Sequence, residues 1–129
     1  MKVFSIFILT IIYLLLFSCS RDRRLQDYTQ IVDSADKIVF YFRHGDTFVI
    51  TKSVESSEHL HNLKNILKRN IKPENQRKFI AQQKIEIFGH EKLLGVLLIN
   101  GTKEDPFVNF TNAKFGFGFK LTYGIGMSL

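Results

Sequence analysis

The chain has one cysteine, Cys19, in 129 residues. A lone cysteine excludes an intramolecular disulfide and any zinc site built on cysteine pairs. Small exported domains often depend on disulfide staples, so this one has to rely on its apolar core. Proline is nearly as scarce, and Pro73 and Pro106 both sit between periodic segments. Internal repeats are missing, as is any low-complexity tract beyond the first eighteen residues. With those eighteen set aside, 111 residues remain, enough for one domain. Negative charge is the minority. Without Lys2, 17 Lys and Arg face 12 Asp and Glu, a net charge near +5 with neutral histidines. That balance favours acidic partners: anionic lipid head groups, lipopolysaccharide or an acidic protein. Nucleic acid is not expected, because an exported chain rarely meets it.

The one long apolar run stands at the start. Lys2 is followed by an almost unbroken apolar stretch from Val3 to Phe17. About 15 residues is short for a spanning helix, which needs roughly 20, but it suits the apolar region of an export signal. The run stops at Ser18-Cys19-Ser20, and Arg21, Asp22, Arg23 and Arg24 follow at once. Leu16-Phe17-Ser18-Cys19 resembles the lipobox of bacterial lipoproteins, although Phe17 is bulkier than the residue usual there. The resemblance implies diacylglycerol on the Cys19 sulfur, cleavage before Cys19 and a further acyl chain on the new amino group, together a stable membrane anchor. It covers the first nineteen residues only. The alternative is an uncleaved signal-anchor helix, which the basic residues on its far side oppose. Ser20 in place of Asp after the cysteine favours the outer membrane over the inner one.

Residues 19–36 read as a lipidated tether with a possible short helix, since Leu25, Tyr28, Ile31, Val32 and Ala35 recur at helical spacing. Residues 37–129 read as a single α+β domain. Residues 37–44 and 47–51 are β-branched and aromatic on either side of Gly45-Asp46, the pattern of a hairpin. Ile38, Phe40 and Phe42 should share one face, with Val39, Tyr41 and Arg43 on the other. The spacing of Leu60, Leu63, Ile66 and Leu67 predicts a helix over 54–69, capped by Ser53 or Ser56 and barred from continuing by Pro73. Strand patterns follow over 79–88, 93–99, 107–111 and 115–129. The expected fold is an antiparallel sheet of about five strands with one main packed helix, in the order β-β-α-β-β-β.

Three features bear on function. Arg43-His44-Gly45-Asp46-Thr47 resembles the R-H-G-x-T motif of histidine phosphatases, which implies Arg43 as phosphate ligand and His44 as nucleophile, with His90 as a possible second histidine. That family needs a parallel sheet with long crossovers. The strand-like Phe48 to Thr51 and the short interval to His90 leave no room for it, so a hairpin turn is the preferred reading and no catalytic residue is expected. The second is a basic cluster, Lys64, Lys68, Arg69, Lys72, Arg77 and Lys78, a candidate contact for anionic lipid or an acidic protein; an inhibitor or immunity-type lipoprotein is the alternative function. A solvated face with favourable helix-end charges is its plainer explanation. The third is the alternation after Phe115, in which apolar residues face one way and Gly116, Gly118, Gly124 and Gly126 the other. The end of that stretch, from Thr122 to Leu129, resembles the terminal strand of outer-membrane barrels, but one chain of this length has too few strands for a barrel. A glycine-lined face admits close approach by another backbone or a ligand, and an edge position would allow pairing with a partner strand.

Weaker patterns complete the reading. Asn100-Gly101-Thr102 and Asn109-Phe110-Thr111 match N-glycosylation sequons, which a bacterial lipoprotein would not use. Asp33-Ser34-Ala35 resembles a short O-glycosylation motif of exported bacterial proteins. His59 and His61 stand two apart on a helix and do not face one another. No metal and no cofactor are expected.

Overall fold

The computed structural model describes residues 2–18, 22–100 and 104–121. Cys19 lies outside them, as does the stretch after Leu121. Helix α1 (Lys2–Ser18) is 17 residues long, about 25 Å, and Val3, Phe4 and Phe7 on it are exposed. Among the described residues, no helix is long and apolar enough to cross a membrane.

The folded unit starts at Asp22, well before residue 37. Asp22 caps α2 (Arg23–Asp33) by accepting from the Arg24 backbone N–H, and the Arg24 guanidinium beside it holds its carboxyl below the usual range. The apolar stripe predicted here is real. Tyr28, Val32 and Ala35 are buried in the main core, so the short helix expected within residues 19–36 forms and packs into that core.

Strands β1 (Lys37–His44) and β2 (Thr47–Val54) form the expected hairpin. Gly45 opens the turn at φ 64°, a backbone angle that suits the first central residue of a two-residue hairpin loop. Then come α3 (Ser57–Lys68), β3 (Ala81–Gly89), β4 (Lys92–Asn100), β5 (Phe107–Thr111) and β6 (Gly116–Lys120). Ser56 is the α3 cap; residues 54–56, given to the helix by periodicity, belong to the strand and the cap.

The sheet has six strands in the order β2-β1-β3-β4-β5-β6, each antiparallel to its neighbours. This is the antiparallel α+β arrangement that the pattern predicts. Because β2 and β3 both pair with β1 and therefore run the same way, the link between them has to cross the sheet. Helix α3 makes that crossing. It packs with α2 over one face, where Phe40, Ile85, Leu97, Phe110, Phe117 and Phe119 interlock with Tyr28 and Leu67. Gly95 leaves the space that the Phe110 ring fills.

After α3 the chain passes round the β6 edge to the opposite face. Glu74 and Gly118 exchange two backbone hydrogen bonds, of 2.7 and 2.8 Å. Asn109 then holds the Arg77 backbone by donating to its carbonyl and accepting from its N–H. Arg77 stacks 4.0 Å from the Phe107 ring centre and pairs with Asp105. This strap covers the outer face of β5 and β6 and leaves that of β2, β1 and β3 open.

Candidate binding surfaces

The open part of the outer face is built by strand alternation. Tyr41 lies opposite Lys84 on β3 and Ile50 on β2, and Arg43 lies opposite Phe48. The Lys84 ammonium stands 4.4 Å from the Tyr41 ring centre and 4.9 Å from that of Phe48, whose ring also carries the Arg43 guanidinium at 4.6 Å. Each such contact is worth about 0.5–1 kcal/mol at an exposed site. Tyr41 is hydrogen-bonded to Glu86, which pushes its phenol up to about 12, with burial and the Glu86 charge adding to the shift. The phenol is therefore neutral at physiological pH, and the surface offers aromatic rings with two cations and one acid. Sequence alternation placed Tyr41 and Arg43 on this face; Phe48, Lys84 and Glu86 come from other strands and needed the register.

The phosphatase-like residues come apart. Arg43 donates from Nε to the Ala81 carbonyl while its plane lies on Phe48. His44 is exposed at the β1–β2 turn, whereas His90 lies at the other end of the sheet, beyond the point where Phe88 pairs with Lys37. Eight strand residues separate those ends, roughly 25 Å. Two histidines so placed cannot work on one phosphoryl group. His90 instead shares a wide cleft of about 710 Å³ with Asp36, Lys37, Glu55, Phe88 and Glu91, and its backbone N–H donates to Asp36. No metal-binding group of histidines, cysteines and acids occurs among the described residues.

The basic cluster is also divided. Lys64 donates to the Asp33 carbonyl and Lys68 pairs with the Asp33 carboxylate at 2.5 Å, fastening α3 to the end of α2. Arg77 is engaged by Asp105 and Glu74 inside the strap. Arg69, Lys72 and Lys78 are exposed. Lys78 stands between Arg77 and Phe79, both turned to the sheet against Phe107, and so faces away from it. The six cations do not form one patch.

The glycine-lined face of β6 does admit a close backbone, and that backbone is the chain's own strap. A Cβ at Gly118 would stand 2.4 Å from the Phe107 ring and 2.8 Å from the Asn75 carbonyl, and one at Gly116 would meet Gln76. The strap was missed because residues 70–78 have neither helical nor strand periodicity, and Phe79 and Ile80, read as the start of a strand, precede β3 at Ala81. The rest of the alternating stretch, residues 122–129, lies outside the described residues.

The remaining sequence patterns fall in places already occupied. Ser34 donates to the Gln30 carbonyl at the end of α2, and Asn109 is held by the strap. The chain matches no protein-family model, and no curated protein or solved structure matches it either.

Proposed function

We propose that the chain is a lipid-anchored, non-catalytic protein of a bacterial cell envelope, outer membrane rather than inner, that works by binding or by supporting structure. One juxtaposition supports this reading. In the sequence Cys19 stands between an apolar helix whose residues 3–12 lie exposed and a folded unit that begins three residues later, at Asp22. Three residues span about 10 Å, close to one Debye length at physiological salt. The folded unit is thus held against the head groups and does not swing free on a long linker.

The working surface in this reading is the outer face around Tyr41, Phe48, Arg43 and Lys84, where aromatic and cationic groups are presented together. Capture of an acidic protein through the run from Lys64 to Lys78 fits less well, because Lys64, Lys68 and Arg77 are spent inside the fold. Replacing Cys19 by Ser should move the protein from the membrane fraction to the soluble one, or leave it unprocessed. A Cys19→Ser variant that stays in the membrane at mature size would refute the anchor.

A further inference from the structure

The outer face of the sheet carries two cations for which the chain supplies no acidic side chain. Arg43 and Lys84 converge on the Phe48 ring, 4.6 and 4.9 Å from its centre. All 12 Asp and Glu lie within the described residues, and none of them pairs with either cation. The acid best placed to do so is Glu86, two residues along β3 from Lys84 and therefore on the same face. Its carboxylate is taken by the Tyr41 phenol instead. Arg43 spends its Nε on the Ala81 carbonyl, which leaves the two terminal nitrogens of its guanidinium. We infer that this face binds an acidic polypeptide, with partner carboxylates seated on Arg43 and Lys84.

The surroundings favour a protein partner over a lipid surface. Both cations are half-buried, and a partly desolvated charge without a counter-ion is costly to hold. An arriving carboxylate offsets part of that cost and meets donors that the rings already keep in place. Across the strands the row runs Ile50, Tyr41, Lys84 and Leu98, so apolar side chains flank the charge, and Ile50 is 60% accessible. Aromatic residues and arginine are enriched at the centres of protein interfaces. Helix α2, which follows Cys19, packs on the opposite face. In the proposed anchoring, the outer face is therefore turned to the aqueous side. The inference deepens the binding role proposed above and rests on it for the choice of face; the contact itself needs no anchor.

A fluorescently labelled random copolymer of glutamate and tyrosine is the probe, titrated by anisotropy against the full chain in an uncharged detergent at physiological salt. Lys84→Gln and Arg43→Gln should each weaken binding about tenfold. Lys72→Gln and Lys78→Gln remove exposed cations elsewhere and should leave it close to wild type. Tyr41→Phe changes no net charge, yet it frees Glu86 to pair with Lys84 and should weaken binding as well. Adding Glu86→Gln to Tyr41→Phe should restore it. If Arg43→Gln fails to fold, Lys84→Gln still decides, because its ammonium holds no backbone group. Absence of binding by wild type overturns the inference. So does an equal loss for all four cation variants, the mark of net charge alone, or a Tyr41→Phe variant that binds as wild type. Tighter Arg43- and Lys84-dependent binding to vesicles containing phosphatidylglycerol than to the copolymer would assign the face to the bilayer and overturn it too. Membrane fractionation of Cys19→Ser judges the anchor on its own, so either claim can fail without the other.

Discussion

Tyr28 shows how one residue joins the layers of this fold. Its phenol donates to the Leu67 carbonyl at 2.8 Å, tying α2 to the last turn of α3. Its ring stands edge-on to Phe110 and Phe117, with centres 4.9 and 5.5 Å away. Tyr28→Phe keeps the ring and leaves a buried carbonyl unpaired, so it should cost about 1–2 kcal/mol; an unchanged denaturant midpoint would speak against the bond. Burial pushes the Tyr28 phenol well above its ordinary value of 10. The sign follows from linkage: the folded state keeps a proton that the unfolded chain releases at about pH 10. The stability tied to this group is complete below pH 10 and falls as pH rises above it. Equilibrium unfolding between pH 9 and about 11.5 should show a smaller pH slope for Tyr28→Phe than for wild type. Spacing alone put Tyr28 on an apolar stripe. Its role in the core was not legible, because the polar residues around that stripe read equally well as a solvated tether.

At the scale of elements, periodicity identified α3 and all the strands, since each has apolar side chains at a repeat matching its own geometry. Boundaries shifted where local chemistry overrode the repeat. Val54 is apolar and adjoins the helix, yet it pairs with Ile38 at the end of β2, and Ser56 starts the helix instead. The strap shows the limit of pattern reading. It is held by Asn109, Arg77 and Glu74 through backbone bonds, stacking and charge, none of which leaves a repeat in the sequence. Its trace lies elsewhere, in the bare glycines of β6. Gly118→Ala should therefore destabilise the domain by about 1–3 kcal/mol and raise amide exchange at Glu74 and Arg77 ahead of β3. Exchange rising evenly across the sheet would argue against a strap that detaches first.

For the whole molecule, among the described residues, the sheet is covered on one face by α2 and α3, half covered on the other by the strap, closed at one edge and open at the opposite one. That asymmetry was hidden from the sequence, because strand order and register are long-range properties. The motifs that were legible fared unevenly. Arg43 and His44 stand in a hairpin, far from His90, so His44→Ala should leave fold and stability close to wild type. The basic run dissolves into two internal fastenings and scattered exposed cations. The proposed export signal is unlike either, because it would be a contiguous feature, read whole from composition and spacing. The mass of the N-terminal peptide of the membrane-extracted protein puts it to the test. A peptide that begins at Cys19 and carries diacylglycerol with a further acyl chain is the expected result. A peptide that begins at Met1 or Lys2, with an unmodified cysteine thiol, would contradict it.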